Sequence, residues 1–204
     1  MFNKDRKTFF GQRQVEAPSP VKAETRPTVE LFEWIELLIL SACFVIILFT
    51  FVLRPARVVG DSMIDTLHEG ETLIISNFFY TPKQGDIVVF QVSPDKYTDP
   101  IVKRVIATEN QVVDIDFNTW TLKVDGVVVD ESSYLYLNGF DATSSGSRVN
   151  FPFTVPEGCI FVLGDNRNNS LDSRSARIGP VDVRSVLGKV VLRISPISKV
   201  GVVK

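Results

Sequence analysis

A serine with possible chemical function stands in the segment Val-Val-Gly-Asp-Ser-Met at residues 58–63. Ser62 is either an ordinary turn residue or a nucleophile, and a nucleophilic serine requires a nearby base. Histidine is the usual base. The chain has one histidine, His68, in a Thr-Leu-His-Glu-Gly segment that is typical of an exposed turn. A Ser-His-Asp triad is therefore disfavoured.

Lysine is the alternative base, provided that its amine is neutral at the working pH. Burial among apolar groups can lower a lysine pKa by several units from about 10.4. Lys103 lies in Pro-Ile-Val-Lys-Arg-Val-Ile-Ala at residues 100–107, a pattern that predicts a strand. Alternation along a strand places Lys103 and Arg104 on opposite faces, so one cation points inward if either face is buried. A lysine at a sheet edge, reaching into water, is the other interpretation.

A dense polar segment, Leu-Gly-Asp-Asn-Arg-Asn-Asn-Ser-Leu-Asp-Ser-Arg, occupies residues 163–174 after an apolar stretch. It does not match a calcium-binding loop, because Arg167 takes a ligand position and Ser170 takes the position of the required glycine. Residues 168–170 also match a glycosylation sequon, which is a common motif. The remaining interpretation is a tight loop whose charged side chains pair with one another or with Arg104. Such a network would hold a lysine and a serine in register.

Together, the three segments resemble the type I signal peptidases, the membrane-anchored bacterial proteases that use a serine and a lysine. The family's nucleophile motif, Gly-x-Ser-Met-x-Pro-Thr-Leu, corresponds to Gly-Asp-Ser-Met-Ile-Asp-Thr-Leu at residues 60–67. Further matches are Gly-Asp-Ile-Val-Val-Phe at 85–90, Val-Lys-Arg-Val-Ile at 102–106 and the polar loop at 164–174. Each motif is weak alone, but their order and spacing make the resemblance specific over residues 58–196.

The resemblance implies a role for each matching residue. Ser62 would be the nucleophile and Lys103 the general base, with no metal or cofactor required. The implied supporting contacts are Ser170 with the lysine amine, Asp165 with Arg104, and Asp172 with Arg174. The oxyanion hole would use the Ser62 backbone N–H, because Gly60 lacks the hydroxyl that some members place there. The residues expected to line shallow substrate pockets for small side chains are Val58, Met63, Leu67 and Val102.

Two positions depart from the family pattern. Asp65 replaces the motif proline, which removes a fixed φ and places a carboxylate three residues from Ser62. We expect Asp65 to point outward, because an unpaired acid nearby would hinder loss of the lysine proton. The family's Gly-x-x-Gly-Asp turn is replaced by Ala-Thr-Glu-Asn-Gln at residues 107–111, so the sequence does not predict the geometry of this turn.

An apolar run positions the serine relative to a membrane. Residues 37–53 contain no charge, and including the preceding apolar residues gives a predicted transmembrane anchor over 31–53. A buried core helix and a cleaved signal peptide are the alternatives. The leader is too long for a signal peptide and contains acidic residues, which argues against the latter. Residues 1–30 are polar and proline-containing, which predicts a disordered cytoplasmic tail. Flanking charges do not decide orientation, whereas a short leader before a large domain favours a cytoplasmic N-terminus.

The region from residue 54 to 204 predicts one antiparallel β domain with an inserted hairpin subdomain at about 108–157. The fold class is therefore mainly β after a single N-terminal helix. Asp125-Gly126 predicts a type I′ turn, and residues 138–150 predict a polar loop. The predicted strands are 72–76, 86–92, 101–108, 111–116, 121–124, 127–129, 159–163 and 189–194.

Composition narrows the range of partners. A net charge of −2 argues against nucleic-acid binding. Cys43 lies in the apolar run and Cys159 far beyond it, so we expect no disulfide. A single histidine, with no Cys/His cluster, argues against a structural zinc site. The resemblance implies signal-peptide-bearing preproteins, the lipid bilayer and the protein-export machinery as partners, at the outer face of a bacterial cytoplasmic membrane.

Two alternatives to an active peptidase belong to other classes. One is a non-catalytic relative that acts as a membrane-tethered assembly or chaperone factor. Such a relative would be expected to lose Ser62 or Lys103, and both are present. The other is a self-cleaving repressor with the same serine and lysine, although this chain lacks its DNA-binding helices.

Overall fold

The computed structural model of the protein describes residues 27–92, 99–137 and 149–203. The chain divides into two units, Met1–Ala42 and Cys43–Lys204. Most of the predicted tail at 1–30 and most of the predicted polar loop at 138–150 lie outside the described residues.

One long apolar helix precedes the β strands. Helix α1 spans Pro27–Ile47 and continues as a π-helical turn at Leu48–Val52. Proline suits the first turn, where its missing N–H has no helical partner in any case. Helix α1 begins at Pro27, four residues before the predicted start of the anchor at residue 31. Val29–Thr50, with a mean hydropathy of 2.4, is long and apolar enough to cross a membrane, and it is not buried in the structure.

The described residues after the helix form two antiparallel sheets. The strands are β1 (Arg54–Arg57), β2 (Thr72–Ser76), β3 (Ile87–Phe90), β4 (Ile101–Ala107), β5 (Val112–Asp116), β6 (Thr121–Val124), β7 (Val127–Val128), β8 (Phe153–Thr154), β9 (Cys159–Leu163), β10 (Val181–Asp182) and β11 (Val186–Ser195). The larger sheet has the order β1-β2-β11-β3-β4-β9-β10, and the smaller has the order β7-β6-β5-β8. This architecture confirms the predicted mainly β class with one N-terminal helix.

The smaller sheet is built around a tight hairpin. Asp125 and Gly126 have φ values of +51° and +78°, the positive values that a type I′ turn requires at both central positions. The turn pairs Val124 with Val127, as predicted. All four strands of this sheet fall within residues 108–157, the segment predicted as an insertion.

The two sheets share an apolar interior. Alternate residues of β5 and β6 are buried, and they form a cluster with Phe161 and Leu163 of β9. β9 is therefore covered on one face by the smaller sheet. A second cluster lies under the segment that carries Ser62 and includes Met63 and Leu67.

The predicted strands agree with the structure to within two residues at either end, with one exception. β11 begins at Val186 rather than at the predicted residue 189, and it pairs with both β2 and β3. Strands β1, β8 and β10 were not predicted, because segments of two to four residues are too short to show an alternating pattern. β1 also contains Pro55, which is tolerated at a sheet edge.

Candidate active site

Ser62 lies in a loop that leaves and rejoins the edge of the larger sheet. The Val58 N–H donates to the Glu71 carbonyl at 2.9 Å, and the Gly70 N–H donates to the Val58 carbonyl at 3.0 Å, so the loop is closed at its base. Gly60 has a φ of +79°, a conformation that side-chain-bearing residues rarely adopt. The sharp turn at Gly60 presents the half-buried Ser62 hydroxyl toward β4.

Lys103 reaches the serine from the middle of the sheet. Its Nζ lies 2.5 Å from Ser62 Oγ and donates to the Val102 carbonyl at 3.0 Å. The side chain is 2% exposed, and β4 is an interior strand that pairs with β3 on one side and with β9 on the other. The edge-lysine interpretation is therefore wrong.

Burial also changes the protonation of Lys103. Loss of solvation lowers its pKa to about 8 from a usual value of 10.5, although the carboxylates of Asp172 and Asp165 act in the opposite direction. A substantial fraction of the amine is thus neutral in mildly alkaline solution. A neutral amine at 2.5 Å from a hydroxyl is able to accept its proton.

Arg104 points to the opposite face of β4 and is also buried, so the side chains of Lys103 and Arg104 are both in the interior. Its guanidinium donates to both carboxylate oxygens of Asp165, at 2.8 Å and 2.7 Å. The Thr66 hydroxyl donates to the same carboxylate at 2.5 Å. The ring of Tyr134 lies over the guanidinium, with the Arg104 Cζ 4.0 Å from the ring centroid. The Asp165–Arg104 contact that the resemblance implied is present, and it ties the 163–174 loop to β4.

Asp172 and Arg174 form a second buried pair, as the resemblance implied. The Arg174 Nε donates to Asp172 Oδ1 at 2.8 Å. Burial alone would raise the pKa of the Asp172 carboxyl, but the Arg174 guanidinium and the hydrogen bonds that it accepts hold that pKa below its usual value. The ionised carboxylate then favours the protonated form of Lys103 and opposes part of the effect of burial.

The structure corrects the expected role of Ser170. Its hydroxyl donates to Asp172 Oδ2 at 2.7 Å, whereas the hydrogen bonds of Lys103 Nζ among the described residues are with Ser62 Oγ and the Val102 carbonyl. The carboxylate attracts the hydroxyl proton because a charged acceptor makes the stronger bond. Ser170 therefore contacts the lysine network through Asp172.

A cavity of about 320 Å³ opens beside the serine and the lysine. Three of the four predicted pocket residues, Val58, Met63 and Val102, are among its lining residues. The fourth, Leu67, is fully buried in the cluster with Met63 and does not line the cavity, so this assignment was wrong. An apolar residue in a tight loop can face either the substrate or the core, and the sequence does not distinguish the two.

The Ser62 backbone N–H is available to a ligand. Among the described residues, no backbone carbonyl accepts a hydrogen bond from it, and Gly60 contributes no side chain. The described residues also contain no group of three or more His, Cys, Asp or Glu side chains that could hold a metal ion.

Comparison with known proteins places the chain in one family. The family model described as "Signal peptidase, peptidase S26" matches residues 31–195. The chain belongs to the signal peptidase family. Signal peptidase I of Bacillus licheniformis is 35% identical over 164 residues, which cover 78% of this chain and 85% of that protein. A probable signal peptidase I-1 of Synechocystis sp. is 33% identical over 179 residues, which cover 83% and 85%. A crystal structure of a signal peptidase I from Enterococcus faecalis shares 31% identity and covers 54% of this chain and 97% of that one, with a TM-score of 0.39.

The two departures from the signal peptidase pattern are accommodated in different ways. Asp65 points outward as expected, with its side chain 80% exposed and its Oδ1 3.7 Å from His68 Nε2. In the 107–111 turn, Asn110 stands where the family has its second glycine, and it adopts a φ of +66°. Asparagine tolerates this left-handed region better than most residues, so the turn is kept without glycine.

Sequence reasoning missed the buried ion pair between Glu131 and Arg167. Glu131 binds both terminal nitrogens of Arg167, and the Arg167 Nε donates to the Gly164 carbonyl at 3.0 Å. The Tyr134 hydroxyl donates to the same Glu131 carboxylate at 3.2 Å. The partners lie 36 residues apart in the sequence. An isolated glutamate in a loop carries no local signal of such a contact. The one clue in the sequence was Arg167, the arginine of the 163–174 loop for which the resemblance implied no partner.

Proposed function

We propose that this chain is a serine endopeptidase that cleaves signal peptides from exported preproteins, with Ser62 as nucleophile and Lys103 as general base. The observation that carries the proposal is the 2.5 Å separation of Lys103 Nζ and Ser62 Oγ, with the lysine buried and its pKa lowered to about 8. Membership in the signal peptidase family supports the substrate class.

The reaction follows from this geometry. The neutral Lys103 amine takes the proton of the Ser62 hydroxyl as the oxygen attacks the scissile carbonyl. The resulting oxyanion is stabilised by the Ser62 backbone N–H, and the Lys103 ammonium returns the proton to the leaving amine. Water, deprotonated by the same lysine, then hydrolyses the acyl-enzyme.

The cavity beside the serine would receive the residue that precedes the cleaved bond, and Val58, Met63 and Val102 contribute to its wall. The family resemblance implies a preference for Ala-x-Ala cleavage sites. A precursor with leucine in place of the alanine before the cleaved bond should therefore be processed poorly.

Helix α1 would anchor the peptidase in the bacterial cytoplasmic membrane with the catalytic domain outside. The apolar length of Val29–Thr50 supports the anchor. Orientation is testable with single cysteines at Ser19 and Val127, in a chain whose Cys43 and Cys159 are replaced by serine. A membrane-impermeant maleimide added to intact spheroplasts should label V127C and not S19C. The reverse pattern would contradict the proposed topology.

The direct test of function incubates the full-length protein, in detergent micelles, with a signal-peptide-bearing precursor. Wild type should cleave the precursor once, at the signal-peptide junction, whereas Ser62→Ala and Lys103→Ala should be inactive. Ser185→Ala and Lys123→Ala are matched controls away from the site and should remain active. Undiminished cleavage by Lys103→Ala would refute the dyad, and no cleavage by wild type would favour the non-catalytic alternative.

A further inference from the structure

Asn166 holds the nucleophile's backbone from two sides. Its backbone N–H donates to the Ser62 carbonyl at 3.0 Å, and its side-chain Nδ2 donates to the Asp61 carbonyl at 3.1 Å. One residue therefore contacts the carbonyl on each side of the Ser62 Cα. The residue is buried, so water does not compete for these bonds.

The bond to the Asp61 carbonyl sets the direction of the Ser62 N–H. The Asp61–Ser62 peptide is planar and not cis, so its C=O and N–H point in opposite directions. With the C=O directed at the Asn166 amide, the N–H faces away from Asn166. The Ser62 N–H has no backbone acceptor among the described residues, which leaves it available to an incoming oxyanion.

The segment that leads into Ser62 follows a glycine turn. Gly60 has a φ of +79° and meets nothing within 4 Å at the position of a Cβ. Because glycine is conformationally permissive, the turn before Asp61 contributes little restraint to this segment. The Asn166 amide supplies the restraint from outside the loop, across 105 residues of sequence.

Asn166 is itself fixed by a neighbouring segment. The Tyr136 N–H donates to the Asp165 carbonyl at 3.0 Å, and the Arg167 N–H donates to the Tyr136 carbonyl at 3.2 Å. Tyr136 thus forms a parallel bridge with Asn166. Glu131, five residues before Tyr136, forms an ion pair with Arg167, and this pair holds the same two segments together.

The stability of the fold does not by itself explain why residue 166 carries a side-chain amide. Asn166 Oδ1 is a buried oxygen with no hydrogen-bond partner among the described residues. A buried acceptor without a partner costs free energy, so an apolar side chain of similar size would suit the fold at least as well on that side. The contact that the side chain does make is with the nucleophile's peptide, through Nδ2 and the Asp61 carbonyl.

We infer that Asn166 is a positioning residue for the oxyanion hole, whose side-chain amide orients the Asp61–Ser62 peptide so that the Ser62 N–H faces the developing oxyanion. The inference rests on the proposed function. It predicts that Asn166 acts on the transition state and leaves substrate binding and Lys103 titration unchanged.

The test compares Asn166→Leu and Asn166→Asp with wild type in the precursor-cleavage assay. Because removal of one oxyanion donor costs roughly 100- to 1,000-fold in kcat, misorientation of a retained donor should lower kcat by about 10- to 100-fold. KM should stay within about twofold, because the pocket is not altered. In Asn166→Leu, which adds no charge near Lys103, the apparent pKa of the rate should not move. Asn169→Leu, at an exposed amide three residues further along the same turn, is the matched control and should keep full activity.

The outcomes separate this inference from the proposed function. Active wild type and Asn169→Leu, with folded but slow Asn166 variants, would support the inference. If either folded variant retains kcat within twofold of wild type, or if the apparent pKa of Asn166→Leu moves, the inference is wrong while the peptidase assignment stands. Asn166→Asp preserves side-chain volume, so it remains informative if the leucine variant fails to fold. Wild type that cleaves nothing would remove the proposed function, and the inference with it.

Discussion

Replacement of the buried lysine by methionine should make the protein inactive and, at neutral pH, more stable. Lys103 is 2% exposed, and burial lowers its pKa from 10.5 to about 8. The folded state therefore carries the cost of a desolvated ammonium at any pH at which the lysine is protonated. Lys103→Met removes the charge and keeps most of the side-chain volume.

The size of the effect follows from the shift in pKa. A difference of about 2.5 units at 1.36 kcal/mol per unit corresponds to about 3 kcal/mol. The variant also loses the contacts of Nζ with Ser62 and with the Val102 carbonyl, at about 1 kcal/mol each. The net gain in the free energy of unfolding at pH 7 should thus be on the order of 1 kcal/mol.

The difference in the free energy of unfolding between Lys103→Met and wild type should depend on pH, which gives the more specific test. Below about pH 8 both the folded and the unfolded wild type hold the Lys103 proton, and the burial cost is fully present. Between about 8 and 10.5 the unfolded state binds more protons than the folded state, so wild-type stability rises with pH through this window. The advantage of Lys103→Met should shrink across it and reverse by about pH 10.5, where wild type keeps its neutral hydrogen bonds.

The measurement is urea unfolding of the full chain in detergent micelles from pH 6.5 to 10.5, followed by the fluorescence of the buried Trp120. Lys199→Met, at a lysine whose side chain is 45% exposed, is the control and should leave the wild-type pH dependence intact. If the free energy of unfolding of Lys103→Met differs from that of wild type by the same amount at both ends of the pH range, the reasoning is refuted.

Three further results are expected. The cleavage rate should rise with pH through an apparent pKa near 8, because only the neutral amine of the dyad accepts the serine proton; a flat profile from pH 6.5 to 9 would contradict this. Gly164→Ala should lose at least about 1–3 kcal/mol of stability and most activity, because its Cβ would lie 2.5 Å from the Ser62 carbonyl oxygen, whereas Gly201→Ala has open space and should behave as wild type. Asp165→Asn should cost about 3–5 kcal/mol in urea unfolding by removing the carboxylate that the buried Arg104 guanidinium binds, and Asp182→Asn, in an exposed pair, should change nothing measurable; equal effects of the two would argue against this account.

Patterns that depend on neighbours in the sequence predicted much of this protein. The apolar run predicted helix α1, Asp125-Gly126 predicted the hairpin turn, and the buried runs predicted the long strands to within a few residues, because each depends on local backbone preference or periodicity. The family motifs likewise brought Ser62 and Lys103 forward as candidates before any geometry was known.

Tertiary structure decided which of those residues meet. Strand alternation left open whether Lys103 or Arg104 points inward, and both are buried because β4 has a partner strand on each side and covered faces. The Ser170 hydroxyl bonds to Asp172, and Leu67 packs into the core, because acceptors and apolar partners are set by distances across the fold. The contact of Asn166 with Asp61 and the Glu131–Arg167 pair join segments far apart in the chain. Local patterns specify the elements of this protein, whereas long-range packing specifies which polar groups they place against the nucleophile.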